Sequence, residues 1–161
     1  IIAMALANDL RFYHSGYISF QDFYRFLDLF TWLHYEDSEA KKPLILEYYD
    51  GENGAGYGCL DYLHSTYIDL LINYVAGLVP RADNKIELWP LIKNWDYFAF
   101  DGIPYHNYEL TIVWQKPKSK RYPDLPAGYS LYVDVRRIFN QPILGHYLID
   151  AQKPSFKVLE E

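Results

Sequence analysis

Glu47 is the carboxylate in this sequence best placed to do chemistry. It closes the apolar run Leu44-Ile45-Leu46, precedes Tyr48-Tyr49-Asp50, and is followed by glycines at 51, 54, 56 and 58. An apolar approach holds a carboxylate rigidly and raises its pKa by desolvation, while a glycine-rich loop leaves room for a ligand. The same pattern also fits a surface Glu closing a strand, or a helix-cap partner. Downstream, Asp61-Tyr62-Leu63-His64-Ser65-Thr66-Tyr67 gathers a carboxylate, an imidazole and two hydroxyls. His64 beside Ser65 suggests nucleophilic catalysis, but adjacent side chains rarely meet in Ser–His geometry and no Gly-x-Ser-x-Gly turn surrounds Ser65. The alternative makes Ser65 or Thr66 a helix N-cap, with Asp61 and His64 as hydrogen-bonding neighbours. The histidines at 14, 34, 64, 106 and 146 show no metal-ligand spacing, so no metal and no cofactor are expected. Residues 51–58 lack a phosphate-binding signature, and their glycines read as turn formers.

The elements that must carry these groups read as helical in the first half. Ile2, Leu6 and Leu10 recur every four residues and predict an apolar stripe on a helix over 1–13. Ser19 followed by Asp22 is an acidic variant of the capping box. It predicts a helix over about 20–35 with Phe23, Leu27, Phe30 and Leu33 or His34 on one face. Phe20, Phe26 and Trp32 make that helix apolar nearly all round, so it expects neighbours on more than one side. Residues 36–42 read as a solvated charged turn and Pro43 starts a new segment. A third helix is expected from Ser65 or Thr66 to Val79, stopped by Pro80.

The second half changes period. Runs at 86–88, 97–100, 108–114 and 129–135 are rich in aromatic and β-branched residues, and Asp101-Gly102 is a strong hairpin cue. Alternation in 109–114 places Leu110, Ile112 and Trp114 on one face. Asp134-Val135 stands where a hairpin turn would favour Asp-Gly. The proline-rich basic stretch 117–126 reads as a solvated loop. Two domains are therefore expected: a helical part, 1–83, and an antiparallel β unit, 84–161.

Composition narrows the classes. Hydrophobic residues make up 50% of the 161 and aromatic residues 19%, with 17 tyrosines, which is core-forming and far from a disordered signature. Tyrosines with apolar rings and polar tips suit a sugar-stacking surface as well as an aromatic core. A net charge of −6 offers no footprint for nucleic acid. The apolar 1–7 run is too short to cross a membrane and lacks the flanks of a signal peptide. No methionine precedes Ile1, so the chain is expected to begin partway along a helix. The single cysteine, Cys59, excludes an internal disulfide and a four-thiolate site. It permits either a cytoplasmic or a periplasmic or secreted location.

The order of the motifs carries a resemblance. Glu47-x-Tyr49-Asp50, the glycine loop and Asp61-Tyr62-x-His64-Ser65-Thr66-Tyr67 are followed by Asp69-Leu70-Leu71-Ile72 and Gly77-Leu78-x-Pro80-Arg81-Ala82-Asp83. Beyond them come Leu88-Trp89-Pro90-Leu91, Trp95-Asp96-Tyr97-Phe98 and Asp101-Gly102-Ile103-Pro104-Tyr105. Over roughly 20–150 this set resembles the C-terminal part of bacterial six-hairpin glycosidases of the mannosylglycerate hydrolase-like and family 63 glucosidase-like group. The resemblance implies an α+β chain: the last helices of an (α/α)₆ toroid followed by a small antiparallel β unit. It implies an inverting hydrolase of an α-linked saccharide, with Glu47 as general base and Tyr48, Tyr49, Asp61, Tyr62, His64 and Ser65 binding substrate. Inverting cleavage needs two carboxyl groups about 6.5–9.5 Å apart; the general acid would lie upstream of Ile1. The expected partners are then an oligosaccharide or glycoside and the remaining part of the barrel, or another chain completing it. The isolated chain is expected to be inactive. A non-catalytic carbohydrate-binding or structural module is the alternative.

Overall fold

The computed structural model describes residues 2–36, 39, 41–62, 66–119 and 121–160. Two compact units divide the chain, Ile1–Asp69 and Leu70–Glu161.

In the first unit, α1 (Ile2–Asn8) runs into a π-helical turn, Asp9–Tyr13, that His14 ends in a left-handed conformation. Ala3, Ala7, Leu10 and Arg11 are buried while Ile2 is exposed, so the inward stripe is rotated one residue from the expected Ile2/Leu6/Leu10 line. Then comes α2 (Phe20–Trp32), opened by the predicted capping box. The Asp22 amide donates to Ser19 Oγ at 3.3 Å, and Asp22 Oδ2 accepts from the Ser19 amide at 2.9 Å. The Ser19 hydroxyl, donating to Asp22 Oδ2 at 2.7 Å, and then the Ser19 amide hold the Asp22 carboxyl below its ordinary pKa. Phe23 and Leu27 are the buried pair of α2, whereas Phe20, Leu29 and Trp32 are exposed.

The helix stops short of residue 35 because the chain turns into an antiparallel arrangement. The Leu44 amide donates to His34 O at 2.8 Å and the Glu36 amide to Lys42 O at 2.9 Å. A two-stranded antiparallel hairpin follows, β1 (Leu46–Tyr49) and β2 (Gly56–Leu60). Next is α3 (Thr66–Leu70), whose Tyr67 packs edge-on to Phe30 at 5.4 Å and meets Thr31 Oγ1 at 2.6 Å. Burial raises the Tyr67 pKa.

The second unit opens with a π-helical turn, Leu71–Val75. Its strands are β3 (Leu78–Val79), β4 (Lys85–Leu88), β5 (Tyr97–Tyr105), β6 (Tyr108–Gln115), β7 (Gly128–Val133), β8 (Arg136–Gln141), β9 (Tyr147–Asp150) and β10 (Ser155–Val158). They form two four-stranded antiparallel sheets, ordered β10-β9-β4-β3 and β5-β6-β7-β8. Side chains alternate across a strand, and the inward set packs between the sheets: Ile86, Leu88 and Ile149 from one, Leu110, Ile112, Tyr129, Leu131 and Phe139 from the other. Tyr147 of β9 meets Phe139 of β8 at 5.0 Å and Tyr129 of β7 at 6.3 Å. The Tyr129 hydroxyl donates to the Ala76 carbonyl, which satisfies the one polar atom that this fully buried ring brings inside.

Two expectations fail here for identifiable reasons, and a third gains a detail. The third helix ends at Val75 rather than Val79. At Gly77 (φ +89) the backbone passes so close that a Cβ would lie 2.4 Å from Pro90 N, and Leu78–Val79 then pairs with β4. Asp101-Gly102 is not a turn. Gly102 (φ +67) lies inside β5 at a register shift between Phe100 and Ile103, where positive φ makes a bulge rather than a reversal. The reversal is at His106-Asn107, between Tyr105 and Tyr108. The 117–126 loop is pinned as well as solvated. Buried Gln115 donates from Nε2 to Tyr122 O (2.9 Å) and Leu125 O (2.8 Å) and accepts from the Tyr122 amide (3.1 Å).

The larger expectation, the helical end of an (α/α)₆ toroid, is overturned. Among the described residues there are three short α-helices against ten strands in three antiparallel sheets. In the second unit burial of apolar surface is organised mainly by sheet faces, whereas in the first the buried apolar residues lie on α1, the turn that follows it, and α2. No helix among the described residues is long and apolar enough to cross a membrane.

Candidate functional site

The β1–β2 hairpin carries Glu47 and its neighbours. Its register pairs Leu46 with Leu60, Tyr48 with Tyr57 and Tyr49 with Gly56, with an irregularity between Leu46 and Tyr48. One residue of β1, Glu47, therefore stands opposite two of β2, Gly58 and Cys59, which is a β-bulge. Gly58 takes φ +94, and a Cβ there would lie 2.9 Å from Glu47 Cβ and 3.1 Å from Glu47 Oε2. The carboxylate lies over the bare glycine, where Oε2 accepts from the Cys59 amide at 3.4 Å. The loop at the hairpin tip is an Asp-centred turn. Asp50 Oδ1 accepts from the amides of Glu52 (2.8 Å) and Asn53 (3.0 Å), and the Asp50 amide donates to Ala55 O at 2.9 Å.

The electrostatics of Glu47 run opposite to the desolvation argument. The Tyr48 hydroxyl bonds to the carboxylate, and with the Cys59 amide and thiol it outweighs the opposing effect of burial, so the Glu47 pKa falls below its ordinary value. Glu47 is only half-buried, so hydrogen bonds to its charged form win over desolvation. The same bond raises the Tyr48 pKa, with the charge of Glu47, burial, and then Tyr62 and Tyr57 adding to it.

The tyrosines divide by role. Tyr48 and Tyr57 stack at 5.5 Å with their planes 25° apart, and both remain open to solvent, 52% and 57% exposed. Tyr62 is 48% exposed. Tyr49 is turned to its own strand: its hydroxyl accepts from the Leu46 amide at 2.9 Å, and its ring lies against Gly56. Asp61 is exposed, with φ 55. The structure thus brings Glu47, Tyr48 and Tyr62 together, sets Tyr49 in a supporting position, and adds Tyr57. His64 and Ser65 lie outside the described residues. Sequence reasoning passes over Tyr57 because Gly-Tyr-Gly reads as loop; an aromatic flanked by two glycines opposite Tyr48 is the available signal.

A second polar cluster, in the other unit, is also missed from sequence. Arg81 donates from Nε and Nη2 to the two Asp83 oxygens at 2.7 and 2.8 Å and from Nη1 to Glu87 Oε2. His146 Nε2 meets Glu87 Oε1 at 2.8 Å, and Trp89 stacks on the His146 ring at 4.0 Å. Glu87 and His146 are 8% and 7% exposed. The guanidinium beside Asp83 lowers its carboxyl to about 2, and Arg81 is raised in return. The network gives the buried Glu87 on β4 a partner for each carboxylate oxygen, Arg81 for Oε2 and His146 for Oε1, while the buried His146 Nδ1 has no hydrogen-bond partner among the described residues. Among the described residues no group of three or more His, Cys, Asp or Glu side chains is set to hold a metal ion.

No family model matches the chain. Among solved structures, a chain named as a sialidase is similar over 92% of these residues, with a TM-score of 0.77 and 29% sequence identity. The match spans 14% of that chain's length. Together with the sheet-dominated fold, this neighbour overturns the resemblance to six-hairpin glycosidases and, with it, the assignment of Glu47 as the general base of an inverting (α/α)-barrel enzyme. Short ordered motifs such as Glu-x-Tyr-Asp and Asp-Gly-Ile-Pro-Tyr read as a family signature, but here they sit on a hairpin and on a sheet strand.

Proposed function

We propose that these residues belong to a glycan-directed hydrolase and that the β1–β2 hairpin presents a saccharide-contacting surface. The observation that carries the reading is the exposed, stacked Tyr48–Tyr57 pair beside a carboxylate held ionised. Large aromatic rings are normally drawn inward, and two that stay half open together mark a binding surface. An aromatic face accepts the C–H face of a sugar ring, while an ionised carboxylate accepts charge-assisted hydrogen bonds from its hydroxyls. Tyr48, Tyr57 and Tyr62 supply the first contact and Glu47 the second, with Tyr49 and Gly58 holding the bulge that aims Glu47. The likeness to a chain named as a sialidase supports a carbohydrate ligand for this segment. The activity of the whole protein is part of the same proposal, since the chain spans 14% of that neighbour.

The test is titration of the intact protein with a panel of oligosaccharides, comparing the parent with Tyr48→Ala and Glu47→Gln. Loss of a stacking ring is expected to weaken binding by about 1 kcal/mol or more. Loss of the charge is expected to weaken it by roughly five-fold, the difference between a hydrogen bond to a charged and to a neutral acceptor. Unchanged affinity in both variants, with both folded, would remove the hairpin from the binding surface.

A further inference from the structure

Glu47 is one of five carboxylates between Pro43 and Pro80, with Asp50, Glu52, Asp61 and Asp69, and that stretch contains neither Lys nor Arg. The first unit's four Lys and Arg residues, Arg11, Arg25, Lys41 and Lys42, all lie outside that stretch. Arg11 is buried. The charge of Arg25 adds a smaller lowering to the Asp22 carboxyl, which is held low chiefly by Ser19. Lys41 pairs with Glu39, and Lys42 with Glu36 at 3.8 Å. Recognition of a carboxylated, sulfated or phosphorylated sugar relies on Arg or Lys, Arg above all because its planar fork matches an oxyanion. The hairpin offers the reverse: an ionised Glu47 next to the ring pair, on a loop that adds Asp50 and Glu52.

Resting on the reading of this hairpin as a saccharide surface, we infer that it takes an uncharged saccharide and turns away a sugar that carries its own anionic group. Stacking on Tyr48 and Tyr57 is blind to charge elsewhere on the ligand, so the discrimination comes from like-charge repulsion around Glu47. In water-like surroundings a ligand carboxylate ~6 Å from one such charge loses roughly three-fold in affinity, and two such charges give about ten-fold. Screening removes the effect: the Debye length falls from about 30 Å at 0.01 M salt to about 3 Å at 1 M.

The experiment is calorimetric titration of the intact protein with maltotriose and cellotriose as uncharged probes and trigalacturonate and sialyllactose as carboxylated ones. Each is measured at low and at high salt, on the parent, Tyr48→Ala and Glu47→Gln. The expected result is uncharged probes favoured by about ten-fold at low salt, with the gap closing at high salt and narrowing in Glu47→Gln. Carboxylated probes binding as well or better, and losing affinity in Tyr48→Ala, would overturn this inference while leaving the hairpin as the binding surface. A preference that salt does not narrow would overturn it too, since shape and not charge would then select. Failure of all four probes to respond to Tyr48→Ala would overturn the hairpin reading and this inference with it.

Discussion

Gly58 is where the local geometry of the hairpin can be tested most sharply. An alanine there meets two costs. Its backbone, at φ +94, lies in a region that costs an L-residue about 1–2 kcal/mol. Its Cβ would also lie 2.9 Å from Glu47 Cβ and 3.1 Å from both Glu47 Oε2 and Tyr48 Cδ2, and relieving such an overlap in a packed setting costs roughly 1–3 kcal/mol more. The expected sum is about 2–5 kcal/mol, charged to the hairpin and not spread over the fold. Two controls separate the terms. Gly102→Ala has positive φ (+67) but no neighbour within 4 Å of its Cβ, so only the backbone cost of about 1–2 kcal/mol is expected. Gly51→Ala has neither, and should be neutral or stabilising by up to about 1 kcal/mol. The assay is amide hydrogen exchange at Tyr57 and Cys59 beside urea unfolding. Gly58→Ala should cut protection in β2 by at least about ten-fold and leave the strands of the second unit protected. A Gly58→Ala protein with parental exchange in β2 would refute the bulge and the placement of Glu47 over it.

Three further outcomes follow from other parts of the chain. Val135 is a β-branched residue at φ 63 in the β7–β8 turn and is 91% exposed, so Val135→Gly should stabilise by roughly 0.5–1 kcal/mol after glycine's own chain entropy is subtracted; a lower melting temperature would contradict the strained turn. Gln115→Leu removes the bonds to Tyr122 and Leu125 and strands buried backbone groups, which should cost about 2–3 kcal/mol in urea unfolding and raise proteolysis in 117–126; a neutral result would mean the loop is held elsewhere. Asp83 has a folded pKa of about 2 against an ordinary 3.8, so its contribution is present above about pH 4 and is lost as pH falls through about 2. Asp83→Asn should therefore flatten the acid limb of the stability profile in that window, and an unchanged limb would show that the Arg81 pair is not coupled to folding.

Local chemistry is readable where a short rule decides the outcome alone. Ser19 and Asp22 form the capping box because the side chains and the amides they satisfy lie within one turn. The runs at 86–88, 97–100, 108–114 and 129–135 fall on β4, β5, β6 and β7 because aromatic and β-branched residues pack well on pleated, half-buried faces. What escapes depends on partners distant in sequence. Gly56-Tyr57-Gly58 is a strand only because β1 lies beside it; alone it reads as loop. Asp101-Gly102 satisfies the rule for a hairpin turn and for a bulge alike, and pairing with β6 chooses the bulge. In α1 the inward line runs through Ala3 and Ala7 rather than Ile2 and Leu6, a one-residue rotation that hydropathy cannot resolve. The expected toroid fails for the same reason at larger scale, because helical periodicity in two segments says nothing about whether sheets or helices dominate the packing. At the candidate site, Glu47 and the tyrosines can be named from sequence, but the sign of the Glu47 pKa shift cannot, since it depends on the Tyr48 hydroxyl and the Cys59 amide across the bulge.

Whether the hairpin is where saccharide meets this chain is decided most directly by a crystal structure of the intact protein soaked with an uncharged oligosaccharide. The expected density is a sugar ring lying on the Tyr48–Tyr57 pair, with a hydroxyl donating to Glu47. A saccharide bound elsewhere, with the Tyr48 and Tyr57 rings open to solvent, would contradict the proposed surface.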